Sequence, residues 1–394
     1  MILPINPHLR DVGSPPIPEA QAWLKRYDGA HGPLIDLSQA APGYPPPPEL
    51  LARLGTAAGS TDATRYGPIA GDAALRAAYA THVCELYGAA VEPDEVAITA
   101  GCNLAFAMTA MLLAKAGDAI LLPTPWYFNH AMTLGMLGVE ARPLPCQAEA
   151  GFVPDPADAD ALIDDRVRAV VLVTPNNPTG AVYPAAVIAA FAELCRRRGV
   201  WLVLDETYRD FLPPELDRAH EVFSGARWRE HVIGLYSFSK AYSIPGHRTG
   251  AVMADAAVIA QLAKILDSLQ ICPARPAQAV LPWAIPALAD WRHANRAAIN
   301  GRAAAFRDVV ANLPGWRVDS IGAYFAYLRH PFAGETATAV AERLAVERGV
   351  LALPGSYFGP AQEDHLRVAF ANVDGSAIAG VAERLAGFGP GHQP

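Results

Sequence analysis

The sequence predicts an α/β protein: a mostly parallel sheet held between helices, followed by a smaller α+β unit. Three observations carry this reading. Short, nearly all-apolar, β-leaning runs alternate with longer helical runs through the middle of the chain, the pattern of βαβ units. Of the 394 residues 52% are hydrophobic and 18% charged, enough apolar material to cover a sheet on both faces. From about residue 290 the alternation gives way to one long helical run and several short strands.

In chain order, the proline-rich stretch 42–48 reads as an extended arm, because each proline excludes helix. Residues 95–99 form a short strand, 104–114 a helix and 119–122 a second strand closed by Thr124-Pro125. Residues 168–174 (Arg-Ala-Val-Val-Leu-Val-Thr) have the composition of a strand buried on both faces. The helix 184–198 has Pro184 at its start and Gly199 beyond its end. Strands follow at 200–204, 232–236 and 249–253. The C-terminal part reads as a helix over 291–313, a strand over 322–328, a helix over 336–347, strands at 350–353 and 366–370, and a final helix. The expected division is an N-terminal arm (1–45) joining the small unit, a large domain (46–288) and a small C-terminal domain (289–394).

The formal net charge of −8 offers no basic footprint for nucleic acid. Cys84, Cys102, Cys146, Cys195 and Cys272 are odd in number and widely spaced, without C-x-x-C. That pattern fits a reducing, cytoplasmic compartment and suggests neither a disulfide framework nor a metal site. The N-terminus shows no basic region followed by an apolar run, so no signal peptide is expected. The uncharged stretch 96–114 approaches the length of a membrane span, but Thr99, Gly101, Cys102 and Asn103 interrupt it. It reads as strand, turn and helix, and no membrane association is expected.

In a mostly parallel sheet, ligands gather beyond the carboxyl ends of the strands. Four groups of residues fall there. Ser237-Phe238-Ser239-Lys240 places a lysine at the end of a buried strand; taken alone it is either an ordinary loop lysine whose head reaches solvent or one whose pKa burial lowers, as a Schiff base requires. Asp205-Glu206-Thr207-Tyr208 closes another strand; such an acid can bind magnesium, pair with a cation or sit under a pyridinium nitrogen. Asn176-Asn177-Pro178-Thr179-Gly180 is a turn on the same edge. Ala100-Gly101-Cys102-Asn103 joins a strand to a helix N-terminus, a place that suits phosphate. No G-x-G-x-x-G follows a strand, which weakens a dinucleotide reading.

Together and in this order, these motifs resemble the class I/II aminotransferases, fold-type I pyridoxal-phosphate (PLP) enzymes of the aspartate/kynurenine aminotransferase kind, over nearly the whole chain. Further matching segments are 35–48, Tyr66-Gly67-Pro68 to Leu75-Arg76, Thr124-Pro125-Trp126-Tyr127 to His130, Arg248 eight residues after Lys240, and Arg367 in Leu-Arg-Val-Ala-Phe. The resemblance implies a central seven-stranded-type sheet and a homodimer with shared active sites. It also implies transfer of an amino group between an L-amino acid and a 2-oxo acid in ping-pong half-reactions. Lys240 would carry the cofactor as a Schiff base and shuttle the proton, and Asp205 would pair with the ring nitrogen with His130 behind it. Asn177 and Tyr208 would bond the phenolic oxygen, and Tyr127 would stack on the ring. Gly101, Cys102, Asn103, Ser237 and Arg248 would hold the phosphate, with Tyr66 reaching over from the partner. Arg367, Asn177 and Ala40 would receive the substrate, Arg367 as a bidentate fork for the α-carboxylate.

The chain departs from the family at Ala40, where glycine is frequent, at Cys102-Asn103 and at His247. The alternative is another PLP reaction on the same scaffold: a lyase, decarboxylase, cyclase or oxygen-dependent oxidase. For these reactions His31 in the arm reads either as a second base or as an exposed polar residue of Ala-His-Gly-Pro. Tyr44, Trp126, Phe128, Tyr324 and Phe358 are candidates for a side-chain pocket, and Arg275 for a second carboxylate.

Overall fold

A computed structural model describes residues 3–389. Two short helices, Pro7–Arg10 and Pro16–Trp23, precede β1 (Ile35–Asp36). The proline-rich stretch then leads into helices Pro48–Ala58 and Ala73–Tyr87. Seven strands follow: β2 (Val96–Thr99), β3 (Ala119–Thr124), β4 (Glu140–Pro145), β5 (Val167–Val173), β6 (Trp201–Asp205), β7 (Val232–Ser237) and β8 (Gly250–Met253). They form one sheet in the order β2-β8-β7-β6-β5-β3-β4. Neighbours from β7 to β4 pair in parallel, and only β8 runs against its neighbours β7 and β2.

Every residue of β2, β3, β7 and β8 is buried, because helices cover both faces. Helices Ala73–Tyr87, Ala185–Arg198 and Arg275–Ala287 pack on one face. Cys102–Leu113 and Ala256–Gln270 pack on the other. This is why the strands read as continuous apolar runs and not as an alternation.

The helix Ala289–Ala311 leads to β9 (Arg317–Gly322), β10 (Phe325–Arg329), a helix at Ala337–Arg348, β11 (Val350–Leu351), β12 (Leu353–Pro354), β13 (His365–Ala369) and a last helix at Gly375–Ala386. An antiparallel sheet runs in the order β12-β13-β10-β9, and β1 pairs in parallel with β11. Ala20, Trp23, Ile35 and Leu37 share an apolar cluster with this C-terminal part.

Three expectations change. The run 322–328 is not one strand: β9 ends at Gly322, Ala323 takes a positive φ of 45°, and β10 starts at Phe325. The run 350–353 divides at Ala352 between two sheets. β4 was not anticipated, since its Glu-Ala-Arg-Pro-Leu-Pro sequence carries two prolines; as the edge strand of the sheet it tolerates them.

The β9–β10 turn rests directly on the Asn176–Gly180 loop. A Cβ on Gly180 (φ +75°) would lie 2.4 Å from the Gly322 nitrogen and 2.5 Å from the Phe325 carbonyl oxygen, so only glycine fits. We expect Gly180→Ala to destabilise the protein by about 2–4 kcal/mol, read from the midpoint of denaturant unfolding. A loss below about 0.5 kcal/mol would contradict this backbone contact.

Candidate active site

The strand ends, the Cys102–Leu113 helix N-terminus, β13 and the segment around Pro16 enclose a cavity of about 580 Å³. Its lining includes Ala40, Cys102, Asn103, Tyr127, Asn177, Asp205, Tyr208, Ser237, Lys240, Arg248 and Arg367. Residues up to 352 positions apart in the chain, Pro15 and Arg367, thus meet in one chamber, as the strand-edge argument anticipated.

Asp205 ends β6 with 4% of its surface exposed. Its carboxylate receives the Thr207 N–H at 3.0 Å and the Thr207 hydroxyl at 2.7 Å, and His130 Nε2 lies 3.3 Å away. The Cys102 thiol donates to it at 3.6 Å. Burial pushes this carboxyl up, but the His130 and Thr207 contacts outweigh it and hold the carboxyl below its ordinary value. His130 is itself clamped by stacking on Phe106 at 3.9 Å between ring centroids. The result is a fixed anion on the chamber wall.

Lys240 lies in the short turn of helix after β7, and its Nζ donates to the Ala40 carbonyl. Burial, reinforced by the Arg248 and Arg367 cations, lowers its ammonium to about 8. Tyr127 donates to Asn103 Oδ1 at 3.4 Å, and burial raises its phenol to about 12. Burial also pushes the Tyr208 phenol and the Cys102 thiol well up, so both stay protonated at neutral pH.

Arg248 has a left-handed backbone (φ 46°) and reaches the Ala100 carbonyl at 3.4 Å and the Pro245 carbonyl at 3.1 Å. A Cβ on Gly101 would lie 2.1 Å from its Nη2, so the guanidinium rests on the glycine itself. Gly250 packs as tightly: its Cβ would sit 2.9 Å from the Cys102 nitrogen. These two glycines let a cation and a helix N-terminus converge, a cradle suited to a phosphate.

Arg367 on β13 is 1% exposed. It donates to the Ser38 carbonyl and, at 3.5 Å, to Asn177 Oδ1, while its Nε has no partner among the described residues. Phe325 and Phe358 lie 5.3 and 5.2 Å from the guanidinium. Burial lowers its pKa to about 10, which leaves it charged at neutral pH.

Tyr66 stands apart: it is 79% exposed and does not line this chamber. His31 is exposed beside Arg348 at 3.1 Å and is also absent from the lining. His247 is exposed too. Of the five candidates for a side-chain pocket only Phe128 lines the chamber. Tyr44 and Tyr324 join hydroxyls at 3.1 Å behind the Lys240 backbone, Phe358 lies against Arg367, and the Trp126 N–H donates to the Phe358 carbonyl.

The sequence reading passed over three contributors. Thr207 orients Asp205, the Ser38 carbonyl anchors Arg367, and Ser239 lines the chamber with a buried hydroxyl that has no partner among the described residues. Ser239 and Thr207 lay inside quoted motifs, but their side-chain directions needed the fold. A second cavity of about 640 Å³ lies among helices Ala73–Tyr87, Arg275–Ala287 and Ala289–Ala311; it contains none of these residues, and its Asp210 is already paired with Arg292 at 2.8 Å.

A depressed lysine, a fixed anion, a glycine-floored cation cradle and an unpartnered serine hydroxyl in one chamber fit pyridoxal phosphate. Fold and site thus define a fold-type I PLP enzyme. The chain belongs to the family described as aminotransferase class I and II, whose model matches residues 32–385. It is 30% identical to the arginine–pyruvate transaminase of Pseudomonas aeruginosa, covering 77% of each chain. It is also 30% identical to the aspartate/prephenate aminotransferase of Thermus thermophilus, covering 86% of each. The solved Thermus thermophilus aspartate aminotransferase with maleate superposes with a TM-score of 0.89 at 25% identity, over 98% of this chain and 99% of that one. The protein is a PLP-dependent aminotransferase, acting on amino acids and 2-oxo acids. Among the described residues no helix is long and apolar enough to cross a membrane, and no cluster of three or more His, Cys, Asp or Glu could hold a metal.

The depressed Lys240 pKa has a consequence for the cofactor-free protein. Its ordinary value is 10.5 and the folded value about 8, so below pH 8 the folded state bears the strain of a buried ammonium. Between pH 8 and 10.5 the unfolded chain binds more protons, and stability rises with pH. Relative to Lys240→Met, the cofactor-free protein should gain on the order of 1–3 kcal/mol across that window, measured by chemical unfolding. Parallel curves for the two proteins would rule this out.

Proposed function

We propose that the chamber works as the transamination centre with Lys240 as its catalytic amine. The observation that carries this reading is the Lys240 amine, depressed to about 8, in one chamber with the Asp205 carboxylate and the Arg367 guanidinium. Bound pyridoxal phosphate supplies a carbonyl that captures amino groups and a protonated ring that draws electrons from the substrate Cα.

The chain's own residues do the rest. Lys240 Nζ would hold the cofactor covalently and, freed by an incoming amine, would carry the proton to and from the substrate Cα. Asp205, kept anionic by Thr207 and His130, holds the proton on the ring nitrogen. Asn177 and Tyr208, both in the lining, would hydrogen-bond the cofactor's phenolic oxygen, and Tyr127 would pack on its ring. Arg248, Ser237 and the Gly101-Cys102-Asn103 turn hold the phosphate, and we add Ser239 to this set because of its unpartnered hydroxyl. Arg367 grips the α-carboxylate, with Asn177 and the Ala40 backbone beside it.

We further propose a homodimer in which the partner's Tyr66 reaches the phosphate; the exposure of this large aromatic supports it. The division into an arm (1–45), a large domain (46–288) and a small domain (289–394) belongs to the same reading. So does a cytoplasmic setting, which the unpaired state of all five cysteines supports. The relatives include arginine, aspartate/prephenate, aromatic and valine aminotransferases, a range that favours transamination over lyase or oxidase chemistry.

Two outcomes are expected. Holoenzyme given an amino acid without acceptor should release one equivalent of 2-oxo acid, accumulate pyridoxamine phosphate and stop. Continued turnover without acceptor would overturn the reading. Lys240→Ala should lower kcat by at least about 10³-fold while the Arg367 contact keeps amino-acid binding measurable by calorimetry. Undiminished turnover by this variant would remove Lys240 from its role.

A further inference from the structure

Apart from the groups with cofactor and α-carboxylate roles, the chamber wall is uncharged among the described residues. The charged side chains in the lining are Lys240, Arg248, Arg367 and Asp205. Each is committed: Lys240 to the cofactor; Arg248 to the cradle on Gly101; Arg367 to Ser38, Asn177 and the substrate α-carboxylate; Asp205 to His130 and Thr207. The remaining wall is chiefly Pro16, Ile17, Pro18 and Phe128, with three amides, Gln21, Gln39 and Asn129.

The helix Pro16–Trp23 explains this wall. Ala20 and Trp23 are buried in the apolar cluster of the C-terminal part, which fixes the rotation of the helix. Ile17 and Gln21, one turn apart, then face the chamber together. Glu19 is the single charged residue of segment 15–21, and it sits beside Tyr357 and not in the lining. Arg275, which packs beside Gly67, has its Nε and Nη2 on Asp72 at 3.4 Å and its Nη1 on the Asp62 carbonyl at 3.1 Å. Where the Tyr66 segment reaches a partner's chamber, that arginine brings its own counter-charge with it.

We propose that this chamber selects amino acids with uncharged side chains, apolar or amide-bearing, and that Ile17 and Gln21 are specificity-determining residues. The proposal rests on the transamination reading given above. A side-chain carboxylate or guanidinium entering this wall would lose its water with no opposite charge to meet, a penalty that an apolar or amide side chain escapes. Gln21 and Asn129 each offer both a donor and an acceptor, which suits an amide and neutralises no ion.

The test uses the holoenzyme and two readouts. Single-turnover spectra would be recorded with leucine, methionine, phenylalanine and glutamine, and with aspartate, glutamate, arginine and lysine. Dead-end carboxylates, 4-methylpentanoate and 3-phenylpropanoate against glutarate and 5-guanidinopentanoate, would be titrated by calorimetry. Uncharged donors should discharge the cofactor at least about 100-fold more efficiently than charged ones, and the uncharged carboxylates should bind more tightly in the same order. Ile17→Arg should move the preference toward aspartate and glutamate by at least about 10-fold. An acidic or basic donor leading the series in the unmodified enzyme would overturn the proposal while leaving transamination intact. Discharge by none of the amino acids, or repeated turnover without acceptor, would overturn the transamination reading and this proposal with it.

Discussion

The arrangement of the chamber depends on one constraint: an aspartate carboxylate that stays ionised although it is nearly sealed from water. Burial alone raises the Asp205 pKa and favours the neutral carboxyl. Two hydrogen bonds from Thr207 and the nearby His130 ring reverse that, and His130 is in turn clamped by Phe106. The position of the carboxylate follows from β6, which lies between β5 and β7 near the middle of the sheet, where the backbone is least free to move. Tyr208, three residues on, reaches the chamber because the chain turns into a short 3₁₀ segment directly after it.

The opposite side of the hexapeptide Asp205–Asp210 is also polar, and it faces away from the chamber. Glu206 accepts from Tyr87 and lies 3.0 Å from His220, and Asp210 receives the Tyr236 hydroxyl at 2.7 Å and Arg292 at 2.8 Å. The Arg209 guanidinium lies 4.0 Å from the Tyr236 ring centroid. Tyr236 directly precedes Ser237, and Arg292 is near the start of the long helix leading to the β13 sheet that bears Arg367. The strand edge, the Lys240 turn and the C-terminal sheet are thereby tied through one buried polar cluster. Because these pairs share members, the geometry on both sides of the hexapeptide is interdependent.

Close backbone approach supplies the remaining precision. Gly180 against Gly322, and Gly101 under Arg248 with Gly250 against Cys102, are contacts that a single methyl group would break. The first brings the Asn177 loop against the sheet that bears Arg367; the second shapes the phosphate cradle. Glycine appears at these points because the neighbouring backbone or guanidinium occupies the space of a side chain.

The sequence by itself determined the α/β class, most of the central strands and the chemistry-bearing motifs. Buried parallel strands must be apolar throughout, and ligand groups must lie at their carboxyl ends, so both leave local signals. Lys240, Asp205, Asn177, Arg248 and Arg367 were legible for that reason, helped by a family pattern spread over the chain. Tertiary structure alone decided what depends on orientation or on distant partners. β4 was hidden because its prolines are acceptable only at a sheet edge, and the 322–328 run concealed a turn formed against Gly180. The aromatic residues expected around the substrate turned mostly to packing roles, while Pro16, Ile17 and Gln21 came to the chamber from a helix more than two hundred residues away from Lys240 in the chain. Nothing local in Pro-Pro-Ile-Pro-Glu-Ala-Gln signals such a wall; the burial of Ala20 and Trp23 rotates the helix and creates it.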